Sequence, residues 1–280
     1  MGCGATGRRI AARAVACGLE VDAVVSSPES APRARALGAT AHIHDLDMAD
    51  LALERPDYLF YCAPPPRTGN TDTRLAGVID CLDGSERPTN TVYISTAGVY
   101  GDRQGEWVDE DSALMPETGR AKRRVDAETQ IRDFDSAARI LRAPGIYGPG
   151  RLPVAAVRSG APILTDAEAG WRNRIHIDDL AAVAWRASAA DWPSGAVNVS
   201  DGHPTPLGAF YDELADMLGV APVPRISWAE AQQRYSDTRL SFLRESRRLD
   251  NRRLLAALGH ALFYPDYRDG LAACRPGEVD

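Results

Sequence analysis

The chain has 280 residues, of which 44% are hydrophobic and 25% charged, and its formal net charge at pH 7 is −7. This composition excludes a disordered chain and allows one large domain or two small ones. The acidic balance argues against nucleic-acid binding, because the molecule as a whole repels phosphate backbones. The sequence lacks both an apolar run of about 18 residues and a signal peptide, so we expect no membrane association and a cytoplasmic protein.

The scattered cysteines and two basic stretches do not indicate a further class of protein. No C-x-x-C spacing is present, so we expect reduced thiols and no metal site. Residues 120–124 (RAKRR) and 244–253 (RESRRLDNRR) lie among carboxylates at helical spacing. We interpret both as solvated faces of helices.

The chain opens with MGCGATG, in which Gly2, Gly4 and Gly7 have the spacing G-x-G-x-x-G. An alanine-rich stretch, residues 8–17, predicts a helix that Gly18 ends. Short apolar runs and helical stretches then alternate. Strands are predicted at 20–27, 40–45, 56–66 and 91–101, and helices at 31–38 and 73–82. This alternation predicts a parallel sheet with crossover helices.

Beyond residue 135 the pattern is less regular. A strand with a turn-rich loop is predicted at 138–150, a strand at 195–202, and helices at 176–189, 206–219 and 251–259. We therefore divide the chain into a dinucleotide-binding domain, residues 1–150, and a C-terminal substrate region, residues 151–280. The second part is expected to pack on the first and to return some elements to its core.

The glycine loop is typical of dinucleotide binding when a buried strand leads into it and a helix follows, because the helix N-terminus suits a pyrophosphate. Here the helix follows at once, but only Met1 precedes Gly2. We expect the first strand to lie upstream of this chain; the alternative is a domain that folds with a gap. Because burying such a strand is worth several kcal/mol, the chain without it should bind cofactor poorly.

The predicted strand after the loop ends at Ser26 and Ser27, where an NAD-binding site commonly places an acidic residue on the ribose diol. Arg33 and Arg35 follow. This arrangement favours NADP over NAD, because a carboxylate would repel the 2′-phosphate. The alternative is that the serines only end a strand.

Six segments in order, GCGATG, HDLD, YCAPPP, YISTAGVYG, RILRAPGIYGPG and RIHIDDLAAV, resemble the extended and atypical short-chain dehydrogenase/reductases, the NAD-dependent epimerase/dehydratase group. The resemblance covers nearly the whole chain. It implies an α/β fold with a Rossmann-type doubly wound parallel sheet, here without its first strand, and a small mixed C-terminal substrate region. It also implies NAD or NADP as cofactor, a small carbonyl, hydroxyl or nucleotide-sugar substrate, and a homodimer.

The resemblance assigns roles to individual residues. Thr96 matches the catalytic serine or threonine that hydrogen-bonds the substrate. Asp178 and Asp179 match a helix start that orders the substrate region, where plain capping also explains them. Cofactor contacts are implied for Gly2, Gly4, Ala5, Thr6, Gly7, Asp45, Leu46, Ala63, Pro64, Pro144, Gly145 and Ile146, beside the candidates Ser26, Ser27 and Arg33.

The family's proton carrier, Tyr-x-x-x-Lys, has no counterpart in PETGRAKRRVDAE. One register places Arg120 and Arg124 at the two positions, and the other places Thr118 and Lys122 there. Both registers lack the phenol. Arginine stays charged in proteins and a threonine hydroxyl is a poor base unaided, so neither pair replaces a tyrosine whose pKa is tuned for proton transfer.

Arg120 and Arg124 share one helix face at a spacing of four. They are predicted to hold an anionic substrate or a cofactor phosphate. The alternative is a surface ladder of ion pairs, in which Arg124 pairs with Glu128 and Lys122 pairs with Asp126.

Three other side chains border the expected site: Tyr100, Tyr147 and His176. Packing explains each of them better than catalysis does, and Tyr100 is the first candidate acid because it is near Thr96. The sequence thus favours an NAD(P)-dependent oxidoreductase or epimerase. The alternatives are a non-catalytic NAD(P)-binding sensor and a structural protein without a ligand.

Overall fold

The structure, a computed structural model, describes residues 1–48, 51, 56–83 and 87–274. The strands are β1 (Asp22–Val25), β2 (Thr40–Ile43), β3 (Tyr58–Tyr61), β4 (Asn90–Thr96), β5 (Trp107–Val108), β6 (Arg139–Ala143), β7 (Gly145–Tyr147), β8 (Ile163–Leu164), β9 (Trp171–Arg172), β10 (Arg174–His176), β11 (Gly195–Asn198), β12 (Thr205–Pro206), β13 (Arg225–Ile226) and β14 (Arg248–Leu249). The helices are α1 (Ala5–Ala16), α2 (Ala31–Arg35), α3 (Thr73–Asp83), α4 (Gly119–Phe134), α5 (Val154–Arg158), α6 (Ile177–Ala187), α7 (Leu207–Leu218), α8 (Trp228–Arg234), α9 (Asp237–Arg244), α10 (Arg252–Leu258) and α11 (Tyr267–Ala273).

The centre of the fold is a parallel sheet with the order β11-β6-β4-β3. A second parallel pair, β1 and β2, lies beyond β3. Helices alternate with these strands along the chain, as the sequence predicts, so the α/β class and the Rossmann-type sheet are confirmed.

Helices cover both faces of this sheet. Val92 and Ile94 of β4 pack in one cluster with residues of α1 and α6. Tyr93, between them in sequence, packs in the opposite cluster with residues of α3 and α4. Successive side chains of a strand point to opposite faces, which explains why the buried strand reads as a continuous apolar run.

Residues 1–3 lie between β1 and β3, where the first strand is predicted to be missing. The Met1 nitrogen donates to the Phe60 carbonyl (2.7 Å), and the Met1 carbonyl accepts from the Cys62 amide (2.9 Å). On the other side, the Cys3 amide donates to the Val24 carbonyl (3.0 Å). Residues 1–3 thus make backbone hydrogen bonds to both groups of parallel strands near the carboxyl ends of β1 and β3, and Val24 of β1 also packs in one apolar cluster with Leu59 and Tyr61 of β3.

The C-terminal half builds short strand pairs around this frame and also returns to it. β11 pairs with β6 in the central sheet, and α6 packs on α1. α5, α7 and α11 enclose a separate apolar cluster. The division at residue 150 stays a prediction. None of the helices formed by described residues has the length and apolar content that a bilayer crossing requires.

The interpretation of residues 244–253 as one solvated helix face is wrong. α9 ends at Arg244, β14 pairs with β5, and α10 begins only at Arg252. Leu249 is fully buried with Val108 in a small apolar cluster. Burying a leucine contributes about 2 kcal/mol, which outweighs the few tenths that each helical ion pair would give.

Candidate functional site

The glycine loop connects residues 1–3 to α1 and brings together two predicted cofactor segments. Gly2 has φ of 72°, and a Cβ there would lie 2.5 Å from the Ala63 nitrogen. A Cβ on Gly7 would lie 2.7 Å from the Gly2 carbonyl oxygen, whereas nothing lies within 4 Å of a Cβ on Gly4. The first and third glycines thus permit close packing, and the second faces open space.

The start of α1 suits an anionic ligand. Gly4 is its N-cap and makes no side-chain capping bond. The first amides of a helix lack partners within the helix, and the dipole favours negative charge there. Ala5 and Thr6 form this first turn. Because the loop leaves space at Gly4 and presents these amides, its residues fit the pyrophosphate of a dinucleotide.

The expected ribose and adenine end is formed by polar residues after β1 and β2. Ser26 follows β1 and is exposed, and the Ser27 and Ser30 hydroxyl oxygens are 3.3 Å apart. Arg33 is exposed on α2. Asp45 accepts a hydrogen bond from the Asp47 amide (3.0 Å). These side chains are free to meet a ribose or its phosphate.

Arg74 of α3 joins this end of the site to the Ala63-Pro64 segment. Its guanidinium pairs with Asp47 and donates to the Pro64 carbonyl (3.2 Å). The half-buried Leu46 packs against the α3 and α4 cluster beside them. Sequence reasoning missed Arg74, because a single arginine at the start of a helix carries no motif.

A cavity of about 770 Å³ lies at the carboxyl ends of the parallel strands, the edge where open α/β sheets bind ligands. Thr96 ends β4 and Pro144 follows β6, and both line the cavity. Arg120 and Arg124 line it from α4. The structure therefore brings together Thr96, the α4 arginines and the loop formed by Pro144, Gly145 and Ile146.

Thr96 presents a hydroxyl at the cavity wall. Its side-chain oxygen accepts from the Gly98 amide (3.2 Å) and caps the 3₁₀ turn Ala97–Tyr100. The side chain is half-buried. Because the hydroxyl accepts this bond, its own proton stays available to a substrate oxygen.

The two α4 arginines are held in different ways. Arg124 donates to the Tyr93 hydroxyl (2.9 Å) and to the Ile94 carbonyl (3.0 Å), which fixes it on β4. Arg120 donates to Ser241 (2.9 Å) and pairs with Glu245 (2.9 Å). Its guanidinium also lies 3.5 Å from the centre of the Phe242 ring.

The structure does not show the surface ladder of ion pairs that was the alternative prediction for α4. Glu128 is fully buried and pairs with Arg142 of β6 and with Arg132. Asp126 accepts from the Asp72 amide and from Gln130. In the other register, Thr118 caps α4 by accepting from the Ala121 amide, and Lys122 is exposed.

Tyr100 lies outside the cavity lining. Its hydroxyl donates to Asn198 (2.7 Å) and accepts from Arg142 (2.9 Å), and the residue is fully buried. Burial raises the pKa of Tyr100 to about 12, although Arg142 opposes the shift. The hydroxyl therefore belongs to the buried network around Glu128 rather than to the reacting edge.

Tyr147 and His176 pack together beside the cavity, with ring centres 5.2 Å apart. Tyr147 lines the cavity, but its hydroxyl is buried and lies against Gly270. His176 caps α6 by accepting from the Asp178 amide, and burial lowers its pKa. Both residues therefore support the wall of the site.

The aspartates at the start of α6 join separate segments. Asp178 pairs with Arg9 of α1 (2.5 Å). Asp179 is buried and accepts from the Phe263 amide (2.8 Å) and the Tyr264 amide (3.0 Å). Asp179 thus holds the segment before α11, and the cap itself is supplied by His176.

Positive charge dominates the cavity wall. Glu245 is the one acidic residue among the described lining residues. Eight arginines line the cavity: Arg67, Arg120, Arg123, Arg124, Arg151, Arg172, Arg174 and Arg247. Such an excess of guanidinium groups suits a ligand with phosphate or carboxylate groups.

Two of these arginines lie where burial disfavours their charge, and Asp201 is an acidic group near Arg174. Arg174 is 5% exposed and donates to Thr205 (2.6 Å), while its Nη2 atom has no protein partner among the described residues. Burial, with Arg247 and Arg174 nearby, lowers the pKa of Arg172 to about 10. Sequence reasoning missed both residues, although Arg174 begins the segment RIHIDDLAAV, which carries the resemblance, and Arg172 lies two residues before it.

Comparison with known proteins assigns the family. The sequence pattern of the NAD dependent epimerase/dehydratase family matches residues 2–200. A protein of unknown function from Silicibacter pomeroyi has a similar structure, with 28% identity, a TM-score of 0.87, and coverage of 100% of this chain and 98% of that one. No curated protein matches the chain.

Two further solved structures are similar. One, from Methylobacillus flagellatus, is assigned to the NAD-dependent epimerase/dehydratases and is 31% identical, with a TM-score of 0.74 and coverage of 97% and 94%. The other, MoeE5, was solved with UDP-glucose and NAD. It is 20% identical, has a TM-score of 0.74 and covers 96% of this chain and 94% of its own, so this likeness concerns the fold.

Proposed function

This chain belongs to the NAD-dependent epimerase/dehydratase family, and we propose that it uses NAD(P) to oxidise or reduce a small anionic substrate at a hydroxyl or carbonyl group. One observation carries the proposal: an arginine-lined cavity of about 770 Å³ lies at the carboxyl edge of the parallel sheet, and Thr96 stands in its wall. The adjoining loop from Pro144 to Ile146 faces the same space.

The glycine loop and the first turn of α1 would hold the pyrophosphate, and Asp45 and Leu46 would lie beside the adenine. Ala63 and Pro64 would line the phosphate and ribose side. When bound, the nicotinamide would accept or return a hydride. Serines follow β1 where an NAD-binding site commonly places a carboxylate, and with Arg33 they favour NADP, although the Glu29 carboxylate accepts a hydrogen bond from Ser27 in the same loop.

The substrate we propose carries phosphate or carboxylate groups. Arg172, Arg174 and Arg247 lie near one another in the positive wall, and Arg174 is buried, so an anion would replace the water lost there on burial. MoeE5, which shares the fold, was solved with UDP-glucose and NAD. A nucleotide sugar is therefore the first substrate class to test.

Two residues have proposed roles at the reacting end. The Thr96 hydroxyl would donate to the substrate oxygen, since it already accepts from Gly98, and the proton that a hydroxyl substrate loses, or a carbonyl substrate gains, would be exchanged with water in the cavity. Arg124 is fixed on β4 by Tyr93 and Ile94, and its charge would stabilise negative charge that develops on that oxygen. Arg120 would position the segment around Glu245 rather than transfer a proton, because arginine stays charged.

The test is single-turnover reduction of NAD or NADP by a panel of nucleotide sugars and smaller sugar phosphates, followed by the absorbance of the reduced nicotinamide. We expect turnover with anionic substrates and none with the matching neutral sugars. Thr96→Val should reduce the rate about a hundredfold or more. Tyr100→Phe, which also loses one hydroxyl, should keep it. Equal rates in the two variants would contradict the role of Thr96.

A second candidate is a non-catalytic NAD(P)-binding sensor. The observation that favours it is that both arginines at the Tyr-x-x-x-Lys positions are engaged, Arg120 by Glu245 and Arg124 by Ile94. A sensor would bind dinucleotide and show no turnover with any substrate of the panel. The homodimer stays a prediction, and sedimentation equilibrium tests it.

A further inference from the structure

One edge of the Arg174 guanidinium is free of protein partners, and this residue lies in the wall of the arginine-lined cavity. Its Nη1 atom donates to the Thr205 hydroxyl (2.6 Å). With the described residues, Nη2 has no partner and Nε makes no hydrogen bond. Arg174 is 5% exposed, and a buried donor without a partner is costly. The edge formed by Nε and Nη2 therefore needs an acceptor from the cavity.

A second buried arginine of this protein shows what the same edge accepts. In Arg142 of β6, Nη1 also donates to a hydroxyl, that of Tyr100 (2.9 Å). Its Nε and Nη2 atoms both donate to the Glu128 carboxylate, at 3.1 and 2.8 Å. These two N–H groups are parallel and match the two oxygens of a carboxylate. Arg174 thus presents to the cavity the edge that holds a carboxylate in Arg142.

Asp201 is an acidic group near Arg174, yet it does not occupy this edge. Its Oδ1 atom accepts from the His203 amide (3.0 Å), and its Oδ2 atom has no partner among the described residues. Burial raises the pKa of Asp201 to about 7, with Arg174 opposing the shift. An acid whose charge is disfavoured in this way competes weakly for a guanidinium, so the edge stays available to an acid that enters the cavity.

Two free donors suit a carboxylate better than a phosphate. The terminal nitrogens of the neighbouring Arg172 donate to backbone carbonyls at the C-terminal end of α9. Those of Arg247 donate to the Gly101 carbonyl and to Glu245. Their charges attract an anion, but the terminal nitrogens of both residues are already engaged. A carboxylate brings two oxygens and one charge, whereas a phosphate monoester would bring a third oxygen and about 1.5–2 negative charges into a buried place.

We propose that the Nε and Nη2 atoms of Arg174 bind a carboxylate group of the substrate, an inference that rests on the function proposed above. Thr205 fixes the other side of the guanidinium, and the rings of Phe210 and Tyr267 lie against it, with centres at 4.6 and 5.2 Å. In the pairing of β10 with β7, Arg174 stands opposite Gly145. The carboxylate would therefore lie beside the loop that is predicted to contact the nicotinamide, in the same molecule as the reacting hydroxyl or carbonyl.

The test is a titration without cofactor, followed by NMR at the arginine Nε–H signals of protein labelled with ¹⁵N-arginine. The probes share one sugar ring: D-glucuronate, its uncharged amide D-glucuronamide, and D-glucose 6-phosphate. We expect glucuronate to move the Arg174 signal to lower field and to bind about tenfold or more tightly than glucuronamide. The signal is identified by its loss in Arg174→Lys, or in Arg174→Gln if the lysine variant does not fold.

The variants also test the preference for the charged probe. Arg174→Lys keeps the positive charge but loses the two parallel donors, so the preference for glucuronate over its amide should fall below about threefold. Arg252→Met is the matched control, because it also removes a guanidinium and its side chain is 86% exposed. This control should keep the full preference.

An Arg174 signal that glucuronate does not move, or equal binding of glucuronate and its amide, would overturn the proposal. If glucose 6-phosphate moved the signal at a lower concentration than glucuronate, the edge would bind phosphate and the carboxylate assignment would be wrong. Because the titration needs neither cofactor nor turnover, its outcome is separate from the proposed reaction. Turnover without a response of Arg174 would reject the carboxylate site alone, and a response without turnover would support the site and contradict the reaction.

Discussion

At the scale of single residues, the three loop glycines serve different purposes that their common spacing conceals. The spacing predicts a dinucleotide loop, but only the structure shows that Gly2 packs against Ala63 and that Gly7 packs against Gly2. Gly4 faces open space at the start of α1. Packing and ligand binding can therefore be separated by mutation.

We predict that Gly2→Ala and Gly4→Ala fail in different ways. Gly2→Ala should lower the free energy of unfolding by about 1–3 kcal/mol, because φ of 72° and the close Ala63 nitrogen both oppose a Cβ. Gly4→Ala should leave stability unchanged and weaken NAD(P)H binding about tenfold, since the methyl group would occupy the space for the pyrophosphate. Urea unfolding and calorimetric titration measure the two effects. The same stability loss in both variants would refute the distinction.

At the scale of elements, the regular part of the fold could be predicted and the irregular part could not. β1 and β4 can be recognised in the sequence as short apolar runs between helices, because burial on both faces dominates their composition. α9 has no fully buried residue, so its sequence shows no apolar stripe. The position of α9 depends on contacts with α4, which is too distant in the sequence for a local pattern to reveal them.

The candidate site, like the fold, could be predicted from the sequence only in part. Thr96 and the loop after β6 stand in segments whose order carries the family resemblance. The buried arginines of β9 and β10 were missed, because an arginine reads as a surface residue until its burial is known. The nearness of Tyr100 to Thr96 in the sequence suggests a place in the site. In the structure, however, the chain turns at Ala97–Tyr100 and buries the Tyr100 hydroxyl beside Asn198.

Arg120 should hold α4 and α9 together. Its guanidinium binds Ser241 and Glu245 and stacks on Phe242. We predict that Arg120→Met increases hydrogen exchange across residues 237–245 and raises the KM for an anionic substrate severalfold, because the cavity wall loosens. Lys122→Met, an exposed position of the same helix, is the control and should change neither. Unchanged exchange in Arg120→Met would count against this role.

At the scale of the whole molecule, charge is distributed unevenly. The chain carries a net charge of −7, yet arginines dominate the wall of its large cavity. A local positive site in an acidic protein attracts small anions and repels nucleic acid as a whole. The total charge argues against nucleic acid as a partner, which stays a prediction, while only the fold reveals the local excess of positive charge.

The contribution of Asp201 to stability should fall as pH rises from about 4 to 7. Burial raises the pKa of this carboxyl to about 7, with Arg174 opposing the shift, against about 3.9 in an unfolded chain. The folded state therefore binds more protons than the unfolded state in this window, which costs at most about 4 kcal/mol above pH 7. Asp201→Asn should flatten this part of the profile in urea unfolding. A variant profile parallel to that of the parent would disprove the assignment.

The most direct measurement is a thermal-shift titration with NADPH, NADP, NADH and NAD, on this chain and on its Gly4→Ala variant. A dinucleotide at a hundred times its Kd should stabilise the folded state by about 2.7 kcal/mol. We predict a response in this chain, larger shifts for the cofactors that carry the 2′-phosphate, and about half the stabilisation in Gly4→Ala at the same concentrations, because binding that is tenfold weaker still leaves most of the sites occupied. If this chain responds to none of the four, the glycine loop does not bind a dinucleotide and the proposed chemistry is contradicted.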